Sequence, residues 1–150
     1  MTTAGRKIYN AAPVLRPVIL ALLPMASPVL VEITGPATVI DGDTVVVDGE
    51  RIRFHGIDAP ENGQSCIADG ERWRCGQKAT AARAGFVGSS PVRCEGQGTD
   101  RYGRTIATCD VRGDDIEAWM VLNGWALAYR RYSRDDVDEE MVARDAQAGI

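Results

Sequence analysis

Apolar residues in the middle of this chain come in short β-branched runs and alternations, and only later take up helical spacing. Thr38-Val39-Ile40 and Thr44-Val45-Val46-Val47 are β-rich. Asp48-Gly49, directly after the second run, is a strong type I′ hairpin signal. Beyond it Arg51-Ile52-Arg53-Phe54 alternates polar and apolar. On a strand that puts Arg51 and Arg53 on one face and turns Ile52 and Phe54 to the core. Residues 62–75 read as a polar loop, and the Ala-rich stretch 76–87, ending near Gly88, predicts a helix. Val92–Glu95 and Thr105–Val111 read as paired strands. Asp114-Asp115-Ile116-Glu117 has the spacing of a capping box before a helix that ends at Gly124. A last helix is expected from Ser133, with Asp135 and Asp136 close to its N-terminus. Five short strands with an interposed helix and two trailing ones suit a small α+β fold, an OB-like five-stranded β-barrel with about three α-helices.

The N-terminus breaks this pattern. Arg6, Lys7 and Arg16 precede the apolar run Val18-Ile19-Leu20-Ala21-Leu22-Leu23, then Pro24-Met25-Ala26-Ser27. That is the layout of a secretory signal peptide over residues 1–26. Pro24 sits awkwardly at the −3 position of such a site, and a leader without targeting function is the alternative. The run is well short of the roughly 20 apolar residues a membrane span needs. Residues 27–36, with Pro28, Gly35 and Pro36, look like a linker into a domain over 37–150.

Composition narrows the reading. A chain of 150 residues has room for one domain with a real core. Four cysteines, Cys66, Cys75, Cys94 and Cys109, accompany a single histidine, His55, which makes a Cys/His zinc site a poor fit. In an exported protein they read as two disulfides between neighbours, Cys66–Cys75 and Cys94–Cys109; in a cytosolic one they would be buried thiols. The net charge is −4. Without residues 1–26, which hold three of the 17 basic and none of the 21 acidic side chains, it becomes −7. Such a surface does not favour non-specific retention on nucleic acid, which relies on many phosphate contacts.

Against that background one segment stands out. Asp41-Gly42-Asp43-Thr44, Arg53 and Asp58-Ala59-Pro60-Glu61 gather four carboxylates and an arginine around the hairpin. Two carboxylates about 4 Å apart repel by roughly 4 kcal/mol at an effective dielectric near 20, so converging acids call for a hard cation with oxygen ligands. Asp43 and Asp58 are the metal-ligand candidates, with Asp41 ligating directly or holding a metal-bound water. Taken alone, Asp41-Gly42-Asp43 is simply a turn. Glu61, close by but free of the metal, could take a proton from water. Arg53, and Arg104 in Thr99-Asp100-Arg101-Tyr102-Gly103-Arg104, could clamp a phosphate through their guanidinium forks. Singly, each arginine is an ordinary surface salt bridge.

These three linked motifs, in this order, resemble the staphylococcal nuclease (thermonuclease) family over roughly residues 37–148. The resemblance implies an OB barrel with helices and calcium-dependent hydrolysis of DNA and RNA that leaves 3′-phosphate ends. By it, Asp43, Asp58 and the backbone carbonyl of Ala59 ligate Ca²⁺, and Asp41 stands behind them. Glu61 is the general base, Arg53 and Arg104 hold the phosphate, and Arg101, Tyr102, Tyr129 and Tyr132 are the nucleic-acid contacts. A gapless match puts Arg130, not Tyr129, on one aromatic position. Ala59 replaces a threonine, and the loop after Glu61 is longer and carries two cysteines. The expectation is an exported monomer without stable membrane association, acting on DNA and RNA. A non-catalytic nuclease-like binding module and a calcium-stabilised structural domain are the rivals; neither accounts for Arg53 and Arg104 together with a complete acid set.

Overall fold

A computed structural model describes residues 31–150; the expected signal peptide lies outside the described residues. In chain order the elements are β1 (Val31–Gly35), β2 (Ala37–Val39), β3 (Thr44–Val47), β4 (Glu50–Phe54), β5 (Ile57–Asp58), β6 (Cys66–Ala68) and β7 (Glu71–Trp73). Then come α1 (Cys75–Val87), β8 (Val92–Thr99), β9 (Thr105–Val111), β10 (Asp114–Asp115), α2 (Ile116–Leu122), β11 (Leu127–Ala128) and α3 (Val137–Asp145). Among the described residues no helix is long and apolar enough to cross a membrane.

The five expected strands appear as β2, β3, β4, β8 and β9, in a sheet ordered β1-β8-β9-β4-β3-β2 with β10 beside β9. All its pairings are antiparallel except β4 with β9, which sets Arg53 opposite Ile106. The two ends of this order, β1 and β2, are separated in sequence by Pro36 alone. One chain segment thus supplies both edges and curls the sheet round into an OB-like fold. The ladder stays open at the bend, where proline has no N–H to donate. Residues 31–35 therefore belong to the sheet, not to a linker: Val31–Gly35 pairs with Gly96–Val92.

Alternation on β4 is as expected. Ile52 and Phe54 are buried in the core with Val45, Val47, Val92, Ala107 and Val111, while Arg51 is exposed and Arg53 half-buried. Asp48 and Gly49 both have positive φ, as a type I′ turn requires. The stretch 62–75 is not simply a loop. Asp69-Gly70 repeats the same turn and joins β6 to β7, and Cys66–Cys75 ties the first residue of β6 to the first of α1. Cys94 and Cys109 face each other directly across β8 and β9 and form the second disulfide.

The helix starts also differ. Asp115, not Asp114, caps α2 by accepting from Ala118 N–H at 2.8 Å. Asp114 is held in β10, and Glu117 does not reach back to the cap. Its carboxylate is buried and accepts the Cys109 N–H on both oxygens at 3.1 Å. Burial, with Asp115 adding to it, pushes the Glu117 carboxyl well above the ordinary range. The last helix starts at Val137, four residues later than expected. Residues 129–134 are spent on turns, in which the Ser133 hydroxyl accepts the Asp135 N–H.

Candidate active site

The loop from Ile40 to Thr44 links β2 to β3. Asp41 shapes it by accepting the Asp43 N–H at 3.1 Å, the Asx turn its sequence suggests. Gly42 then lets it lie against the segment after β5. A Cβ there would stand 2.6 Å from the Ala59 Cβ and 2.8 Å from the Pro60 carbonyl, so a side chain would force the two segments apart. Pressed together, they bring Asp43 and Asp58 to one guanidinium. Arg53 on β4 places Nη1 at 2.7 Å from Asp43 Oδ2 and Nη2 at 4.0 Å from Asp58 Oδ1.

Asp43 is 8% exposed, and burial raises its carboxyl above the ordinary value even though Arg53 and the Thr44 hydroxyl oppose that. Thr44 joins the two halves of the arginine pair. Its hydroxyl donates to Asp43 Oδ1 at 2.8 Å and accepts from Arg104 Nη1 at 3.1 Å. Arg104 is aimed by Asp100, whose carboxylate takes the Arg104 Nε–H at 2.7 Å and the N–H groups of Tyr102 and Arg104. Burial alone would raise the Asp100 carboxyl; these donors outweigh it and hold it below the usual range.

Glu61 is exposed, and among the described residues its carboxylate forms no ion pair. Its backbone, in contrast, is tightly packed. The Glu61 carbonyl accepts the Gln64 N–H at 2.8 Å, and a Cβ on Gly76 would meet that carbonyl oxygen at 1.8 Å. The first turn of α1, anchored by Cys66–Cys75, thus holds the main chain that carries Glu61.

Beside the arginines opens a groove of about 600 Å³ lined by Arg53, Arg101, Tyr102, Arg104, Tyr129 and Tyr132. Arg101 lies over the Tyr102 ring at 4.7 Å, and Tyr129 meets Tyr132 edge-on at 4.9 Å. The gapless placement of Arg130 in this groove does not hold. Tyr129 lines it, whereas Arg130 reaches away to the buried Glu140 at 2.7 Å. His55 and Arg131 also line it, and sequence reading singled out neither for this purpose.

As a cation site the residues present are sparse but chemically apt. Among the described residues no three acid, His or Cys side chains gather at one point. Asp43 and Asp58 nevertheless approach one guanidinium, and both offer carboxylate oxygens, the donor type a hard cation takes. One oxygen of the Asp41 carboxylate, Oδ1, accepts the Asp43 N–H.

Sequence reading missed Arg83 entirely. It is fully buried on α1 and donates to the backbone carbonyls of Asp41, Gly42 and Thr44. The signal was there: buried Cys75, Ala79 and Val87 recur every four residues, and Arg83 completes that stripe.

The family model described as "Staphylococcal nuclease homologue" matches residues 51–149. The succinoglycan biosynthesis protein ExoI of Rhizobium meliloti is 43% identical over 98 residues, covering 63% of this chain and 51% of that protein. Protein ParB of Escherichia coli is 37% identical over 143 residues, 86% of this chain and 75% of its own length. The micrococcal nuclease of Shigella flexneri is 31% identical over 123 residues, 73% and 65% respectively. The chain thus spans about half the length of the first of these relatives and three quarters of the second. With the site motifs assembled in three dimensions on an OB-like frame, the chain belongs to the staphylococcal nuclease homologue family.

Proposed function

We propose that this chain is a calcium-dependent nuclease that hydrolyses phosphodiester bonds in DNA and RNA and leaves 3′-phosphate ends. One observation supports this above the others: two guanidinium groups, from Arg53 and Arg104, meet around the Asp43–Thr44 pair at the head of an aromatic, arginine-lined groove. A purely structural acid cluster has no use for the second arginine. The relative named micrococcal nuclease agrees with this reading.

Asp43, Asp58 and the Ala59 carbonyl would hold Ca²⁺, which supplies positive charge for a phosphate oxygen and acidifies water. The rest falls to the chain's own side chains. Glu61 accepts a proton from the attacking water, a task suited to a carboxylate that is exposed and not tied up in an ion pair. Arg53 and Arg104 donate to the non-bridging oxygens as charge builds on phosphorus, where a planar fork surpasses a point charge. Thr44 and Asp100 keep the Arg104 fork in place. Tyr102, Arg101, Tyr129 and Tyr132 receive the neighbouring nucleotide; a stacked base is worth about 1–3 kcal/mol. With a net charge of −4, or −7 once residues 1–26 are removed, the grip on the substrate is local to this groove.

The two disulfides fit an oxidising compartment, so export is part of the proposal. The test is incubation of purified protein with single-stranded DNA and RNA, in calcium or chelator. Calcium-dependent cleavage that Glu61→Gln abolishes is the expected result. Substrate left intact in every condition overturns the enzyme reading; substrate bound yet intact identifies a binding module.

A further inference from the structure

Arg83 is the least expected residue in the molecule. It occupies the buried stripe of α1 between Ala79 and Val87, a stripe otherwise of small and aliphatic side chains, and it is 0% exposed. Burying a guanidinium is unfavourable unless its donors are met. Here Nη2 donates to the Thr44 carbonyl at 2.6 Å and to the Asp41 carbonyl, and Nη1 to the Gly42 carbonyl at 3.4 Å. The fork lies over the Phe54 ring at 4.7 Å, and among the described residues Nε has no partner. Every acceptor is main chain, and all three belong to the loop that carries Asp41 and Asp43. Burial lowers the guanidinium to about 10, against the pull of Asp41 and Asp43, so it stays charged at neutral pH.

Two arginines therefore grip one loop in different ways. Arg53 meets the Asp43 carboxylate from the groove, and Arg83 holds the loop's carbonyls from the core. We propose that Arg83 is a positioning residue for the cation-binding loop: by fixing the main chain of residues 41–44 from within, it presets Asp43 for calcium before any ion arrives. This rests on the calcium reading above. Its consequence is a low ordering cost on binding, since a pre-organised loop has little freedom left to lose. A lysine at position 83 keeps the charge but cannot span three carbonyls with a planar fork. Methionine removes charge and fork together.

The test has two arms. In the wild-type protein, backbone amide resonances of residues 41–44 are recorded in chelator and in calcium. A preset loop gives sharp, dispersed signals in chelator; signals that are broadened there and sharpen only with calcium overturn the proposal, and no variant is needed. In the second arm, calcium is titrated calorimetrically into wild type, Arg83→Lys and Arg83→Met, with thermal melts in chelator to establish that each is folded. The expected result is a half-saturating calcium concentration raised about tenfold or more in each folded variant, with kcat at saturating calcium within a few-fold of wild type. A purely structural Arg83 would lower the melting temperature and leave the calcium midpoint unmoved, which overturns the proposal alone. A wild type that binds no calcium overturns the calcium reading and this proposal with it.

Discussion

The site has two halves built on different principles. In the sheet half, Asp43, Thr44, Arg53 and Arg104 are joined by short polar contacts between side chains brought together from β3, β4 and the turn before β9. In the loop half, Glu61 is held through its main chain by Gly76 and the Cys66–Cys75 clamp, and among the described residues its exposed carboxylate makes no ion pair. One half places its chemistry through side-chain contacts; the other restrains the backbone and leaves the carboxylate exposed. The difference suits the tasks. In the proposed function the arginine clamp must be stiff, whereas Glu61 as base needs an unoccupied carboxylate. Function and stability should accordingly be coupled in the first half and separable in the second.

The largest expected effect falls on Glu61. Glu61→Gln should lower turnover by about 10²–10⁴-fold, the range for losing a general base, with an unchanged melting temperature. Arg53→Lys should lower kcat by about 10²–10³-fold and also lower the melting temperature, because buried Asp43 loses the guanidinium that meets its Oδ2 at 2.7 Å. Equal melting temperatures for the two variants would erase the distinction between the halves. Steady-state cleavage assays run beside calorimetric melts read both quantities.

The disulfides sharpen the contrast. Cys94→Ala with Cys109→Ala opens a bridge between strands already paired by the ladder and should cost about 3 kcal/mol in the chain-entropy model, with activity per folded molecule retained. Cys66→Ala with Cys75→Ala should cost a similar amount or less and reduce activity, since it frees the start of α1 from the Glu61 loop. Activity normalised to folded fraction in each pair decides this.

Gly42→Ala tests how closely the two acid-bearing segments must approach. With Ala59 and Pro60 inside 3 Å of the new Cβ, the segments must part. A loss of about 1–3 kcal/mol is expected, the scale of an overpacked site, together with weaker calcium binding by titration.

The smallest effect lies away from the site. Burial, with Asp115, Glu139 and Asp135 nearby, raises Asp136 from 3.8 to about 6. The folded protein therefore holds this proton more tightly than the unfolded chain. The resulting stability is fully present below about pH 3.8 and is lost as pH rises through about 6. Asp136→Asn should lie within about 1 kcal/mol of wild type near pH 4 and exceed it by about 2–3 kcal/mol at pH 7, measured by urea unfolding at the two pH values. A variant less stable at pH 7 would instead assign Asp136 a favourable role at the start of α3.

Much of the site was legible in the chain because its pieces are local. Asp41-Gly42-Asp43 carries its own turn, Asp48-Gly49 folds β3 onto β4, and β4 alternation turns Arg53 away from Ile52 and Phe54. The Asp69-Gly70 turn is equally legible, but the strands it joins are only three residues each, too short for alternation to show. Glu117 was misplaced for a different reason. Its spacing from Asp114 fits a capping box, but the pairing of β10 with β9 moves the cap to Asp115 and delivers Glu117 to the Cys109 amide. Arg130 followed from gapless counting along the chain, whereas the turns after β11 put Tyr129 in the groove and Arg130 against Glu140.

By itself the sequence determined the family's motifs, a neighbour pairing for the cysteines that awaited the structure, the hairpin that folds the acids together and the alternation that turns Arg53 away from the core. Each depends on turn geometry or strand alternation, which act over a few residues. Only the tertiary structure decided that Pro36 divides one segment between both edges of the sheet, and that Thr44 bridges Asp43 to Arg104 across 60 positions. It alone decided, too, that Arg83 lies beneath the acid loop. Whether a buried charge is tolerated depends on which acceptors surround it, and those carbonyls come from a segment some 40 residues away in the chain.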